Sequence, residues 1–384
     1  MNKKIGIVVM LSLSVGGGVA RVCFDLIKEL NNLGNKIYVL TPFKLDYNKI
    51  KELYGNIHIY RVYYPGWIKA KFCKDAILSR KLMKKQFIKM AKEVDMIIDI
   101  DGGVLQDYLP ESFDKSKYMV WRLCCTKPQE SSWGEKNIKK SIKNSFHRFF
   151  LDNKKNQPSK DFKIYALDKW TKKELVDYWG MDENMEYLYP PIQVNELLYK
   201  GNKKKNQITV LGRISHEKRI DDSIKIFFNG TKNFPDYKLI ILGGLISDSA
   251  DYMKDLKNLI EELGNPERVE IIESPSFNKI REVLLNSKVL IDSQRDVSLT
   301  MTAIESMAAG CVVLAYKNAG TYLDVLENGK FGFGFNNTEE GSEKLEKILE
   351  NYSKINIKKI IERTKAFSRE KFIENIRRIL NETI

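Results

Sequence analysis

Histidine and cysteine are scarce in this chain, with three and five copies in 384 residues. The cysteines (Cys23, Cys73, Cys124, Cys125 and Cys311) stand at no metal-ligand spacing, and an odd set with two adjacent members builds no disulfide framework. His58, His147 and His216 are too scattered to complete a structural zinc site. Neither a metal-dependent nor a disulfide-stapled fold is expected, and a reducing, cytoplasmic setting fits. Long apolar runs are missing too: no stretch reaches the roughly 20 residues of a membrane span. The opening "MNKKIGIVVMLSLSVGGGVA" imitates a secretion signal, with a basic start, an apolar run and small residues. It leads into an amphipathic "ARVCFDLIKELNNLG" and a second apolar run "KIYVLTP", an order that signal peptides do not show. The opening therefore reads as a buried first strand followed by a glycine loop.

What is present is a globular composition, 43% hydrophobic and 30% charged, with length enough for two domains that each bury a core. The net charge of +14 makes an anionic partner plausible: a phosphorylated ligand, an acidic membrane or a nucleic acid. Lysine-rich proteins without a polyanion partner carry such charge as well. Residues 60–92 hold ten Lys and Arg against Asp75, interleaved with Trp67, Phe72, Leu82, Met83 and Phe87. A second basic and aromatic segment occupies 131–150. One reading lays these helices on an anionic membrane surface, with the protein peripheral on the inner face. The other is solvated helices whose apolar stripe packs on a sheet. No nucleic-acid motif is visible, and nucleic acid is not an expected partner.

Short apolar runs alternate with helical stretches: strand candidates fall at 4–11, 37–41, 57–63, 95–100, 117–121, 163–167, 207–211, 238–243, 269–272, 288–292 and 312–315. This alternation predicts an α/β protein with parallel sheets covered by helices on both faces. The pattern restarts after "LYPPIQVNELLYKGNKKKNQ" (188–207), which reads as a linker between two Rossmann-like domains. The boundaries expected are 1–192, 193–365 and a final helix, 366–384, packing back toward the first domain.

Ligands of such sheets bind at the carboxyl ends of the strands, and four loops fall there. Gly16, Gly17 and Gly18 let backbone N–H groups approach an anion or sugar at a helix front, without completing a dinucleotide fingerprint. In "VLGRISHEKRID", Arg213 and Lys218 suit a diphosphate whose charge grows as its bond to a sugar breaks. They fit equally well as surface cations paired with Glu217 or Asp221. In "RDVSLTMTAIESMAAG", a helix beginning near Thr300 to Thr302 offers free N–H groups, with Glu305 one turn further in. That carboxylate suits a ribose diol, or is a partly exposed helical acid. The fourth loop, "NAGTYLDVLENGKFGF", is by itself a generic connection.

Together and in this order, these segments resemble the retaining, nucleotide-sugar-dependent glycosyltransferase family 4, of GT-B fold. The motifs that carry the resemblance run from "GGGVARVCFDLIKELNNLGNKIYVLTP" through "LYPPIQV", "VLGRISHEKRIDDSIKIF", "YKLIILGG" and "IESMAAGCVVLAYKNAGTYLDVLENGKFGF" to "FSREKF". Within that family, "IDIDGGVLQDYLP" and "YPP" are similar to the α-1,2-mannosyltransferases that extend lipid-linked oligosaccharides. The resemblance implies two Rossmann-like domains facing across a cleft, a UDP- or GDP-sugar donor, and a glycan or lipid-linked glycan acceptor. It implies no cofactor or metal. It assigns Arg213 and Lys218 to the diphosphate, Glu305 to the ribose, the amides of Thr300 and Met301 to phosphate, and Gly17 and Gly18 to the neighbourhood of donor and acceptor. Glu305 matches the second acid of the family's two-acid motif; at the place of the first stands Val297, with Asp296 one residue early as a candidate sugar contact. No histidine matches the one common near the family's reaction centre, and Asp99 and Asp101 are the nearest polar candidates. In the front-side mechanism commonly proposed for such enzymes the leaving phosphate takes the acceptor's proton, so no protein base is required. Two other readings remain: a GT-B-fold sugar-nucleotide-binding or scaffold protein with impaired catalysis, and a non-enzymatic polyanion-binding protein.

Overall fold

The computed structural model describes residues 3–10, 13, 17–66, 76–123, 161–245 and 249–382. Gly16, the stretch 67–75, the basic segment 131–150, and with them Cys124, Cys125 and His147, lie outside the described residues. The chain divides into two compact units: Met1–Leu167 with Thr171–Pro191 and Phe372–Ile384, and Asp168–Trp170 with Ile192–Lys371.

The first unit contains β1 (Lys4–Val8), α1 (Gly18–Asn32), β2 (Lys36–Leu40), α2 (Tyr47–Tyr54), β3 (Arg61–Tyr63), α3 (Ala76–Ala91), β4 (Met96–Asp99), β5 (Tyr118–Arg122) and β6 (Lys163–Ala166). Next come α4 (Lys169–Trp179), whose first two residues count with the second unit, and β7 (Glu186–Tyr187). The strands form a parallel sheet of order β3-β2-β1-β4-β5-β6-β7. β1, "KIGIV", is buried along four of its five residues, as a strand covered on both faces must be. The apolar stripe of α3, Met83, Phe87, Met90 and Ala91, is buried in the core beside Tyr118 and Val120. Lys81, Lys84, Lys85 and Lys89 remain exposed on its other face. For this helix the amphipathic pattern therefore reflects packing on the sheet. The apolar face is already used.

The second unit runs β8 (Gln207–Leu211), α5 (Ile220–Gly230), β9 (Lys238–Gly243), α6 (Ser249–Leu263), β10 (Val269–Glu273), α7 (Phe277–Asn286), β11 (Val289–Asp292) and α8 (Met301–Ala308). It continues with β12 (Val312–Tyr316), β13 (Phe333–Phe335), α9 (Thr338–Glu350) and α10 (Ile357–Arg363). Its parallel sheet has the order β10-β9-β8-β11-β12-β13. α5 buries Ile220, Ile224, Phe227 and Phe228 at helical spacing. The last helix, α11 (Arg369–Glu382), begins in the second unit and ends in the first, where Phe372 stacks on Trp121 at 5.7 Å between ring centroids. β7 and β13 are absent from the sequence expectation: two exposed residues and a Phe-Gly-Phe carry too little apolar periodicity to be seen. The strand expected at 57–63 shrinks to Arg61–Tyr63. Among the described residues no helix is long and apolar enough to cross a membrane.

Candidate active site

In the second sheet, strands are added on one side of β8 up to β10 and then on its other side from β11. The switch point, where such sheets bind ligands, lies between the carboxyl ends of β8 and β11. The loops 212–219 and 293–300 meet there. After Gly212 the chain makes a 3-10 turn, His216–Lys218, then passes through Arg219 in the left-handed region (φ 50°) before α5 begins at Ile220. Lys218 thus stands on the turn preceding the helix. Its Nζ donates to Gln294 Oε1 at 2.7 Å, joining the two loops. Burial holds the Lys218 ammonium below the usual lysine range, against the pull of Asp292. A desolvated cation of this kind gains most from an arriving anion. Arg213 is exposed and pairs with Glu217, the surface pairing that the sequence leaves open. Exposed pairs of that sort are worth about 0–1 kcal/mol, so a diphosphate can take the guanidinium over.

α8 supplies the second wall. Thr300 is its N-cap residue, yet its side chain makes no capping bond. The hydroxyl instead donates to Asp292 Oδ2 at 2.6 Å, which Thr321 Oγ1 also reaches at 3.1 Å. The Thr300 N–H donates to Thr321 Oγ1 at 3.2 Å. Thr300 is consequently no open amide donor, contrary to the sequence expectation; the helix front available to an anion begins at Met301. Glu305 is buried one turn further in, at 6% exposure, and is not the partly exposed acid of the alternative reading. Asp296 has φ 51°, takes an amide N–H of Asn318 on its carboxylate, and sends its own N–H to the Asn318 carbonyl at 3.0 Å. Val297 is half-buried beside it.

Several members of this site carry no sequence signal. Asp222, 3% exposed, receives Arg219 through Nε and a terminal nitrogen at 3.1 Å each, and Arg295 at 2.6 Å. Ser223 and Ser293 share a buried hydrogen bond of 2.8 Å. The Asp222–Arg295 and Ser223–Ser293 bonds tie α5 to the loop after β11 and join residues about seventy positions apart, which no local pattern announces. Ser215 Oγ is buried in the Lys218 loop with no hydrogen-bond partner among the described residues.

The first sheet has its own switch point, between β1 and β4. Gly17, at φ 120°, is the N-cap of α1 and exposed, and Gly18 opens the helix. A side chain is disfavoured at that φ, so the glycine is a backbone requirement. Asp99 is fully buried and accepts from the Tyr118 hydroxyl at 2.6 Å and from the Asp101 N–H at 2.8 Å. Asp101 accepts the Met10 N–H, linking the loop after β4 to that after β1. Burial and the neighbouring Asp99 push the Asp101 carboxyl up to about 7. Arg122 donates to the Gly102 carbonyl at 3.3 Å.

Residues 199–377 match the model of the family described as Glycosyl transferases group 1. The second unit carries a glycosyltransferase domain. Both the switch-point loops and α8 lie inside the matched residues. The chain is similar to the GDP-Man:Man(3)GlcNAc(2)-PP-Dol alpha-1,2-mannosyltransferases of Dictyostelium discoideum and of Homo sapiens, each at 24% identity. The two matches cover 56% and 48% of this chain but 47% and 41% of those proteins, so it spans less than half the length of these curated relatives. Among solved structures, a glycosyltransferase from Rickettsia africae superposes with a TM-score of 0.71 at 18% identity, covering 100% of this chain and 98% of that one. Anabaena HepE in complex with UDP gives 0.74 at 15%, covering 99% and 100%. At these identities the likeness speaks for the fold, which is that of the GT-B glycosyltransferases. Val297, where the resemblance leads one to expect the first motif acid, lies inside the matched residues, and the Asp296 carboxylate beside it is turned to Asn318.

Proposed function

We propose that the protein is a retaining glycosyltransferase that moves a sugar from a nucleoside diphosphate to a hydroxyl of a glycan or lipid-linked glycan. The observation that carries this reading is the junction of Lys218, Gln294 and the front of α8 at the switch point: one desolvated ammonium beside a helix start whose N-cap side chain is engaged elsewhere. Arg213 and Lys218 hold the diphosphate, the amides from Met301 onward face its phosphate, and Glu305 takes the ribose diol. Charge developing on the departing diphosphate is stabilised by cations and dipoles fixed in advance. As the bond from the anomeric carbon to phosphate breaks, the acceptor oxygen bonds to the same face and its proton passes to the leaving phosphate. No metal enters that scheme, so turnover is expected to persist in excess EDTA. Asp101 and the Gly17-Gly18 loop serve the acceptor side, and Asp296 is the remaining candidate for a sugar contact. The mannosyltransferase relatives favour GDP-mannose and a lipid-linked acceptor; UDP in a related fold keeps the uridine donor as the alternative. The test is nucleotide release from UDP- and GDP-sugars in the presence of lipid-linked glycans, with the anomeric configuration of the product read by NMR. Transfer with retention is expected; an inverted product, or none from any donor, contradicts the proposal.

The exposed lysines of α3 support a second element of the reading, attachment to anionic membrane at the cytoplasmic face. Because the apolar stripe of that helix is buried, the attachment is electrostatic and does not involve insertion. Lys84→Glu with Lys85→Glu should weaken binding to anionic vesicles while leaving nucleotide affinity unchanged; unaltered vesicle binding counts against it.

A further inference from the structure

The donor loops are held by a short stretch of chain that no motif marks. Asp168, Lys169 and Trp170 pack with the second unit, although the residues up to Leu167 and from Thr171 belong to the first. Asp168 is fully buried, and its Oδ2 accepts the Leu299 N–H at 2.5 Å, one residue before the N-cap of α8. Two residues on, the Trp170 N–H donates to Oδ2 of Asp324 at 3.1 Å, and Asp324 is fully buried as well. The Asp324 carbonyl in turn accepts from Arg363 at 2.7 Å. The stretch is thus strapped into the second unit by two carboxylate–amide bonds of opposite direction. One grips the loop before α8, the other the π-helical turn Thr321–Val325 that carries Thr321.

Gly320 makes room for this arrangement. A Cβ there would lie 2.3 Å from Asp168 Oδ2 and 2.4 Å from the Leu299 nitrogen, and its own N–H donates to the Val297 carbonyl at 2.8 Å. Leu299 leads directly into Thr300, whose amide and hydroxyl fix the Asp292–Thr321 network and, with it, where the first amides of α8 point. We infer that Asp168 is a positioning residue of the donor site: through the Leu299 N–H it sets the loop that aims the front of α8 at the diphosphate, without touching the donor itself. The inference rests on the placing of the nucleotide at α8. It adds a residue from outside the residues matched to the family, since those begin at 199. A buried, charge-assisted bond of this type is costly to break because the amide is left without its acceptor.

The distinguishing variants are Asp168→Ala, which removes the acceptor, and Asp168→Asn, whose amide oxygen still accepts the Leu299 N–H. Binding of UDP and GDP is measured by calorimetry on each full-length variant, with melting temperature and acceptor KM recorded alongside. Expected is a loss of about tenfold in affinity for the preferred nucleotide in Asp168→Ala, retention within about threefold in Asp168→Asn, and an unchanged acceptor KM in both. Equal affinity of Asp168→Ala and wild type overturns the inference while leaving the proposed function intact. So does an equal loss in both variants, or a rise in acceptor KM matching the loss. If Asp168→Ala does not fold, Asp168→Asn is compared with Asp324→Asn, which keeps the Leu299 bond and should match it in nucleotide affinity; a tenfold difference between them overturns the inference. Absence of nucleotide binding by wild type overturns both the inference and the reading beneath it.

Discussion

Lys218 combines partial burial, an amide-oxygen partner in Gln294 and an opposing carboxylate at Asp292. Replacing it by Met keeps the packing of the stem against Gly212 and removes only the charge. By analogy with loss of one preorganised donor to a developing anion, kcat should fall about 100-fold or more, about 2.7–4 kcal/mol, with little change in melting temperature. Steady-state kinetics check this; a variant of normal kcat would remove Lys218 from the catalytic set. Asp101 makes a pH prediction. Its carboxyl is raised to about 7 from an ordinary value of 3.8, so the folded protein binds the proton more tightly than the unfolded chain. The stability it contributes is full below the ordinary value and is lost as pH rises through about 7. Asp101→Asn should therefore flatten the decline in melting temperature between about pH 4 and 7, recovering about 2 kcal/mol at the upper end after solvent screening is allowed for. Parallel profiles for variant and wild type would contradict it.

At the scale of elements, α8 is held at both ends, and only one end is legible in the sequence. "SLTMTAIE" announces the start, because hydroxyl residues precede an apolar-periodic run with a lone acid. It does not disclose that Thr300 turns its hydroxyl to Asp292, a choice made by Thr321 arriving from another loop. The far end depends on Lys204, a residue that looks like an ordinary linker lysine in "NKKKNQ". It is 7% exposed, and its Nζ donates to Ser287 O and Ala309 O at 2.7 Å each and to Leu284 O at 3.3 Å. One ammonium thereby serves the carboxyl ends of α7 and α8 together, where the helix dipoles favour a cation. Tyr199 adds a backbone bond to the Ala308 carbonyl at 3.0 Å. Lys204→Met should cost about 3 kcal/mol in denaturant unfolding, since buried carbonyls lose their donor. A loss below about 1 kcal/mol would mean that water replaces it freely.

For the whole molecule, the α/β alternation made the two parallel sheets readable, because strands buried on both faces appear as short continuous apolar runs such as "KIGIV" and "KLIILG". The marginal strands β7 and β13 escaped because their pairing is imposed by neighbours. The candidate loops could be located in the sequence because Arg213, Lys218 and Glu305 stand in local strand–loop–helix patterns. Contacts assembled over distance, such as Gln294 meeting Lys218 or Arg295 meeting Asp222, were unreadable. Basic charge was the ambiguous signal: on α3 the amphipathic pattern encodes packing through Met83, Phe87 and Met90 and leaves Lys81, Lys84, Lys85 and Lys89 outward.

The central claim is that a nucleoside diphosphate binds at α8 with Glu305 on its ribose. A thermal-shift comparison of UDP, GDP and their sugars on wild type and Glu305→Ala tests it most directly. Ligand at one hundred times its Kd adds about 2.7 kcal/mol, which for domains of this size raises the melting temperature by about 5 °C or more. The account predicts that shift for one nucleotide in the wild type and its loss in Glu305→Ala. No shift with any of these ligands, or an equal shift in the variant, would contradict it.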